Sequence, residues 1–235
     1  MSYKGIKEKG QAVSDHYAGT REYFLLSPAG KTLLNGLLPL VEEYCRGRVL
    51  DAGAGRGAYR EILKKTAQEY IGMDVSSSEA TSAVGDVQTL PFSEESFDTV
   101  FCSQVLEHVP RPWNALAEMK RVLKPGGHLI LTVPHISWLH NEPHDYYRYT
   151  LHGLRFLLNQ AGFEELEMRP AGGLMSLLGH IPSTVLMNLT YGVSFLHPLV
   201  SVLNRFWVYA VSALDERVEK KKIFALNYVC VFRKC

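Results

Sequence analysis

The sequence predicts an α/β protein with a doubly wound, mostly parallel sheet and helices on both faces. Short apolar runs alternate with stretches of helical periodicity, the pattern typical of strands separated by helices in a parallel sheet. A glycine-rich turn, residues 53–57, joins the first run to the next helical stretch. In sheets of this kind ligands bind beyond the carboxyl ends of the strands, so functional residues are expected directly after each strand.

Seven strands and four principal helices are predicted between residue 28 and the end of the chain. Thr150 is the expected N-cap of the last helix, and Gly162 is expected to end it. The predicted strands are 48–52, 70–74, 83–85, 96–103, 128–133, 164–169 and 224–232, and the predicted helices are 28–46, 58–69, 112–123 and 150–161.

The composition excludes several classes of protein. With 46% hydrophobic and 21% charged residues, the 235-residue chain is of ordinary globular type rather than disordered. The net charge of +1 lacks the positive field of a nucleic-acid binder, so no nucleic-acid partner is expected. The four cysteines form no CxxC pair, and the first nine residues lack the apolar stretch of a secretory signal, which predicts a cytoplasmic location.

The sequence predicts a helical lead-in or cap over residues 1–47, followed by a ligand-binding domain over 48–235. That domain contains an apolar insertion at about 172–214. Residues 170–204 lack Asp, Glu, Lys and Arg, but their glycines, prolines and polar residues argue against a spanning helix of about 20 apolar residues. Three interpretations stay open: a helical lid, a surface for peripheral membrane or lipidic contact, and a homo-oligomer interface.

The segment 49–57 is a strand that runs into a glycine-rich turn. Gly53, Gly55 and Ala58 satisfy the dinucleotide pattern GxGxxG/A, which is weak evidence alone. Asp51 argues against a dinucleotide ligand, because a carboxylate there would repel the pyrophosphate. It would suit a ligand with a cationic amine instead. Asp74, 23 residues later at the next strand end, is placed to bond ribose hydroxyls. A turn cap for Asp51 and a helix cap for Asp74 are the structural alternatives.

Six motifs follow one another along residues 48–134: VLDAGAGRG (49–57), GMD (72–74), GDVQTLPF (85–92), FDTVF (97–101), VLEHV (105–109) and RVLKPGG (121–127). In this order they resemble the class I methyltransferases that use S-adenosylmethionine (SAM), of the small-molecule, type 11-like group. The resemblance implies a Rossmann-like seven-stranded fold, SAM as cofactor with S-adenosylhomocysteine as product, and a small-molecule or lipid- or sugar-type acceptor.

The resemblance also implies which residues hold the cofactor. Asp86 has an ordinary turn residue as its alternative role, and Gln104 is the least specific of the set. The implied contacts are Asp51, Gly53, Ala54 and Gly55 with the methionine moiety, Asp74 and Val75 with the ribose, Asp86 and Val87 with the adenine, and Gln104 with the methionine side.

Catalytic residues are harder to identify, because methyl transfer needs a base only when the acceptor must lose a proton. The candidates are His108, His144 and Asp145, with a structural turn role as the alternative for His108. In some quinone-type O-methyltransferases of this superfamily a Glu-x-x-Glu-His stretch binds a metal. Gln104 occupies the first of those positions here, so no metal is predicted.

The segment 144–150 resembles a subgroup of bacterial methyltransferases with an aspartate–aromatic–Arg-Tyr-Thr stretch before a helix. His135, Tyr147 and Arg148 are therefore the candidate acceptor-binding residues. Arg148 would hold an acidic group or phosphate in a bidentate manner. Alternatively, Asp145 and Arg148 pair with each other and brace the loop.

Two other functions compete with methyl transfer. A non-catalytic SAM-binding module would bind the cofactor without turnover, and formation of S-adenosylhomocysteine would exclude it. An NAD(P)-dependent oxidoreductase would bind NADH but not SAM, and Asp51 argues against it.

Overall fold

The chain alternates strands and helices as the sequence predicts, and the computed structural model describes residues 3–235. The strands are β1 (Arg48–Ala52), β2 (Glu69–Asp74), β3 (Ala83–Val84), β4 (Phe97–Ser103), β5 (Leu123–Pro134), β6 (Phe163–Ala171) and β7 (Asn227–Lys234). The α-helices are α1 (Tyr3–Tyr17), α2 (Pro28–Tyr44), α3 (Arg60–Leu63), α4 (Pro112–Val122), α5 (Leu151–Gln160), α6 (Leu174–Thr190) and α7 (Leu196–Val218), and short 3₁₀ helices span Arg21–Leu25 and Leu106–His108.

All seven strands belong to one sheet in the order β3-β2-β1-β4-β5-β7-β6. The pairs β1–β2, β1–β4, β2–β3 and β4–β5 are parallel, whereas β7 runs antiparallel to β5. The predicted mostly parallel, seven-stranded Rossmann-like sheet is confirmed. Its central strands are buried on both faces, which explains why they are continuous apolar runs rather than alternating ones.

The structure divides into two compact units. The helical unit comprises Met1–Gly36 and Pro170–Leu226, and the sheet unit comprises Leu37–Arg169 and Asn227–Cys235. The predicted division at residue 47 and the predicted insertion stay predictions, and the first two residues of the lead-in lie outside the described part of the chain.

Two elements of the sheet unit differ from the prediction. The expected helix 58–69 is reduced to α3, because the backbone bonds shorten to three-residue spans at Lys65 and Thr66. The expected turn at Pro125–Gly127 lies within β5, and the pairing register with β4 shifts between Phe97 and Thr99. The predicted N-cap is confirmed, since the Thr150 hydroxyl accepts a 3.0 Å hydrogen bond from the Gly153 amide.

In the helical unit, the uncharged segment forms α6 and the first part of α7. Pro182 lies inside α6 and does not end it, and the segment is interrupted instead between Thr190 and Leu196. Asp215 and Glu219, near the end of α7, accept the free amides at the start of α6, with Leu174 N donating to Glu219 at 2.7 Å and Met175 N to Asp215 at 2.8 Å. Within residues 3–235, no helix is long and apolar enough to cross a bilayer.

Candidate active site

The buried carboxylate of Asp51 lies at the carboxyl end of β1. Asp51 is 2% exposed and is paired in register with Gly72 of β2 and Phe101 of β4. The Tyr70 hydroxyl donates a 2.8 Å hydrogen bond to its Oδ2. Burial raises the pKa of Asp51 to about 7, the Tyr70 hydrogen bond opposes that rise, and the charge of Asp74 adds to it. A cation bound beside this carboxyl group would lower its pKa and favour its ionised form.

The glycine-rich turn beside Asp51 is held against β2. The amides of Gly53 and Ala54 both donate to the Met73 carbonyl, at 2.8 and 2.9 Å. Gly53 has φ +98°, and a Cβ there would lie 2.2 Å from Val105 Cγ2. At Gly55 (φ +51°) a Cβ would meet no atom within 4 Å. The turn therefore needs glycine at residue 53 for packing. At residue 55 the space beside the Cα atom is empty, so a ligand can approach the backbone closely there.

Asp74 closes the same turn from the end of β2. Its Oδ2 accepts the Gly55 amide at 2.9 Å and its Oδ1 accepts the Ser76 amide at 3.1 Å. The Ser78 hydroxyl donates to the Gly55 carbonyl at 2.6 Å. The neighbouring Val75 is 69% exposed. Asp74 is thus part of the turn itself, and its predicted contact with a ribose stays a prediction.

Asp86 and Val87 follow β3. The Asp86 carboxylate accepts both the Gln88 amide (2.8 Å) and the Gln88 side-chain Nε2 (3.0 Å), and the Thr89 amide bonds the Asp86 carbonyl. These contacts are those of a turn residue, the alternative role noted for Asp86. Its predicted role toward an adenine stays a prediction.

Gln104, directly after β4, has a positive φ of 55°. Such a conformation is unfavourable for a residue with a side chain and concentrates at functional sites. The Gln104 amide donates to the Thr132 carbonyl at 3.0 Å, and its Nε2 donates to the Thr132 hydroxyl at 3.1 Å. Thr132 of β5 therefore fixes this glutamine at the end of the sheet that also carries Asp51.

Three side chains with metal-ligand chemistry meet after β4. Glu107 is completely buried, and neither of its carboxylate oxygens has a hydrogen-bond partner among the described residues. His108 Nε2 lies 3.7 Å and His140 Nε2 lies 3.8 Å from Glu107 Oε1. Burial pulls the pKa of His140 down, but Glu107, the Trp138 carbonyl and Asp145 together raise it above the ordinary value.

Arg148 and Asp145 form a complete ion pair. Arg148 Nη1 and Nη2 donate to the two oxygens of Asp145 at 2.6 and 2.8 Å. The remaining Arg148 donors bond the carbonyls of Ser137, Trp138 and Tyr147. The bond from Arg148 holds the pKa of Asp145 down at about 2, against its partial burial. This geometry favours the bracing alternative over anchoring of an acceptor by Arg148 or base catalysis by Asp145, both of which stay predictions.

The other predicted acceptor and catalytic residues lie in the same part of the sheet unit. His135 Nδ1 lies 2.9 Å from the Tyr149 carbonyl, and Tyr147 donates its hydroxyl to the Pro110 carbonyl at 3.0 Å. His144 Nδ1 lies 3.1 Å from the Tyr146 hydroxyl, and the His144 carbonyl contacts His108 Nδ1. The segment 135–149 thus brings together these predicted side chains and His108.

Sequence reasoning missed Tyr70 and did not select Glu107 or His140. The sequence does contain a signal for the contact between Tyr70 and Asp51. Tyr70 and Gly72 share one face of β2. Gly72 pairs with Asp51 and has no side chain, which leaves room for the Tyr70 side chain there. No pattern links Glu107 to His140, since more than thirty residues, including all of α4 and β5, separate them in the chain.

Residues 50–131 match the family model described as a methyltransferase domain. The chain therefore carries a methyltransferase domain over these residues. The chain is 36% identical over 110 residues to an uncharacterized methyltransferase of Mycobacterium avium, covering 41% of this chain and 43% of the relative. It is 34% identical over 133 residues to another from Mycobacterium marinum, covering 51% of each. The chain thus spans about half the length of these curated relatives.

Solved structures agree on the fold of the chain. The [4+2]-cyclase SpnF superposes with a TM-score of 0.58 at 24% identity, over 85% of this chain and 80% of that one. The 1,6-didemethyltoxoflavin-N1-methyltransferase of Burkholderia thailandensis, solved with 1,6-didemethyltoxoflavin and S-adenosylhomocysteine, superposes with a TM-score of 0.55 at 17% identity, over 89% and 78%. At these identities the likeness concerns fold alone, and the cyclase illustrates that one fold serves different reactions.

Proposed function

We propose that this methyltransferase transfers a methyl group from SAM to a small-molecule acceptor. The observation that supports it most is the buried Asp51 carboxylate, paired with the neutral hydroxyl of Tyr70 beside the open backbone at Gly55. A buried carboxylate without a cationic partner is costly unless a ligand supplies the charge. The α-amino group of SAM has the required charge, whereas a dinucleotide pyrophosphate has the opposite one.

The residues present fit the cofactor along the ends of the strands. Asp51 would bind the amino group, with the backbone of Gly53, Ala54 and Gly55 along the methionine moiety. Asp74 would accept the ribose hydroxyls in place of the Gly55 amide that it now accepts. Cofactor binding would therefore change the hydrogen bonding of the glycine-rich turn. The other proposed contacts are Val75 with the ribose, Asp86 and Val87 with the adenine, and Gln104 with the methionine side.

When bound, SAM supplies an electrophilic methyl group on a sulfonium, and the transfer leaves S-adenosylhomocysteine. The acceptor atom contributes the electron pair of the new bond, the C–S pair remains on sulfur, and any acceptor proton passes to a base. His108, His144 and Asp145 are the proposed proton-handling residues, of which His108 lies against the buried Glu107. His135, Tyr147 and Arg148 are proposed to line the acceptor side.

An amphipathic, lipid- or sugar-linked acceptor is the finer proposal, with peripheral membrane contact. It is supported by the apolar side chains that α6, α7 and the turn between them expose in the helical unit, among them Phe195 in the turn (82% exposed) and Phe206 of α7 (71% exposed). Co-sedimentation with phosphatidylglycerol–phosphatidylcholine vesicles is expected, and the double variant Phe195→Ser, Phe206→Ser should lose it. Recovery of all of the protein in the supernatant at excess lipid would contradict membrane contact.

Calorimetric titration with SAM and S-adenosylhomocysteine tests the cofactor assignment. Asp74→Ala should lose binding, and Glu61→Ala, an exposed acidic change on α3, is the matched control. Binding of NADH but not SAM would favour an oxidoreductase. SAM binding without S-adenosylhomocysteine formation across lipid, sugar and quinone-type acceptors would favour a non-catalytic SAM-binding module.

A further inference from the structure

We propose that Glu107, His108 and His140 form a binding site for a divalent transition-metal ion. Their ligand atoms all lie within 4.8 Å of one another at the carboxyl end of β4. Glu107 has no exposed surface, and both of its oxygens lack hydrogen-bond partners among residues 3–235. A buried carboxylate in this state is expensive, and a cation is one of the few partners that satisfies it.

Both imidazole rings are oriented with their Nε2 atoms toward Glu107. His108 Nδ1 contacts the His144 carbonyl at 2.5 Å, which places the ring proton on Nδ1 and leaves Nε2 as a lone-pair donor. Asn141 Nδ2 lies 3.5 Å from the same Nε2, as expected for an unprotonated nitrogen. Metal-binding histidines are commonly held by a carbonyl at their other nitrogen in this way.

His140 has the same arrangement, with its Nδ1 3.2 Å from the Trp138 carbonyl. Arg148 Nη2 also lies 3.3 Å from that Nδ1. However, the two protons of this Nη2 are directed to the Trp138 carbonyl at 2.7 Å and to Asp145 Oδ2 at 2.8 Å. The Nδ1 atom of His140 therefore remains free to carry its own proton, and Nε2 faces the carboxylate.

The distances fit a site that closes slightly around an ion. Metal bonds of about 2.1 Å place neighbouring ligand atoms roughly 3.0–3.4 Å apart. The two measured separations from Glu107 Oε1 to the histidine nitrogens are 3.7 and 3.8 Å. Closure needs roughly half an ångström for these two separations, and up to about 1.5 Å between the two histidine nitrogens, which lie within 4.8 Å of each other. Side-chain rotations can supply movements of this size.

The charged side chains around Glu107 do not neutralise its negative charge. Asp145 and Arg148 neutralise each other through two hydrogen bonds, so the Glu107 charge is uncompensated when both histidines are neutral. Two imidazoles with one carboxylate favour ions such as Zn²⁺ or Fe²⁺ over Mg²⁺ and Ca²⁺, which prefer oxygen ligands. The third ligand is His140, which is far away in sequence, and Gln104 takes no part in the site.

Three protein ligands leave a coordination position open for an oxygen of the acceptor. This role rests on the proposed function: the ion would hold an acceptor hydroxyl and lower its pKa, which reduces the demand on a protein base. With the ion bound, His108 would act as a metal ligand and would no longer be available to accept the acceptor's proton. The metal site itself stands on its geometry, so metal binding and SAM binding are measured separately.

The test uses the full chain, stripped with chelator and titrated calorimetrically with Zn²⁺, and with Co²⁺ followed by visible absorption. We expect one ion per chain. Glu107→Gln and His140→Ala should each weaken binding by more than about 100-fold, since even the loss of a group that only hydrogen-bonds to a metal ligand costs about 10–100-fold. His152→Ala, which removes an exposed histidine on α5, is the matched control and should bind like the unaltered chain.

Circular dichroism and SAM titration accompany each variant, and His108→Ala replaces any variant that does not fold. Equal Zn²⁺ affinity in all variants would identify an adventitious surface ion and overturn the proposal. Absence of Zn²⁺ and Co²⁺ binding by the folded chain would overturn it as well, and tighter binding of Mg²⁺ than of Zn²⁺ would overturn the metal class. Loss of SAM binding with Zn²⁺ binding intact would instead count against the proposed function alone.

Discussion

The Tyr70 hydroxyl donates a 2.8 Å hydrogen bond to the Asp51 carboxylate across two adjacent parallel strands. Within residues 3–235 it is the contact that opposes the effect of burial on Asp51, whose pKa is nevertheless raised to about 7. The site therefore holds an acid that is half-ionised near neutral pH. In the proposed function the ionised form binds the amino group of SAM, so cofactor affinity and pH are coupled.

Tyr70→Phe should move the pH dependence of SAM binding upward. The hydrogen bond stabilises the charged form of Asp51, so its removal raises the pKa by about one to two pH units, as expected for a bond of about 1.5–3 kcal/mol to a charged group. In the unaltered chain, Kd should rise about tenfold for each pH unit below 7. Calorimetry from pH 5.5 to 9 measures both curves. Two parallel curves, offset equally at all pH values, would contradict this coupling.

Asp51→Asn should abolish SAM binding and stabilise the fold. The native pKa lies above the unfolded one, so the native state binds more protons between about pH 4 and 7, and stability falls as pH rises through that range. Removing the carboxyl group removes this loss, which is at most about 4 kcal/mol at pH 8. Urea unfolding at pH 5 and pH 8 measures the effect. An Asp51→Asn variant that is less stable than the unaltered chain at pH 8 would contradict a destabilising role for the ionised Asp51.

Gly55→Ala and Gly53→Ala separate ligand approach from packing. The backbone strain at φ +51° costs about 1–2 kcal/mol, and the added methyl at residue 55 meets no protein atom, so this variant should fold and lose SAM binding. At residue 53 the methyl overlaps Val105 at 2.2 Å, so the fold itself should be destabilised. Thermal melting and SAM titration of both variants check this. Unchanged SAM affinity in Gly55→Ala would exclude close approach of the cofactor there.

The succession of strands along the chain and the places of Asp51, Asp74 and the glycine turn follow from the sequence, because each depends on neighbouring residues and on strand ends. The hydrogen bond from Tyr70 to Asp51 does not follow in this way. It depends on the register between β1 and β2 and on the space above Gly72. The pairing of Glu107 with His140 depends on how the loop after β5 folds back. The length of α3 depends on a change in hydrogen-bond spacing that helix propensity does not encode.

The Asp145–Arg148 pair should stabilise the loop 135–149. Asp145→Asn and Arg148→Ala should each cost about 3 kcal/mol, because each leaves a partly buried charge or donor set without its partner, and the double variant should cost less than the sum. The pair's contribution should be present above about pH 4, the unfolded pKa range, and should be lost as pH falls toward the native pKa of about 2. Urea unfolding of the four proteins at pH 7 and pH 3 measures both effects.

The same variants distinguish bracing from anchoring of an acidic acceptor. If Arg148 braces the loop, Asp145→Asn and Arg148→Ala should lose similar stability and similar acceptor affinity, because either change releases the same loop. If Arg148 instead holds the acceptor, Arg148→Ala alone should lower affinity in a protein of unchanged stability. The five acceptors that already occupy its donors favour the first outcome.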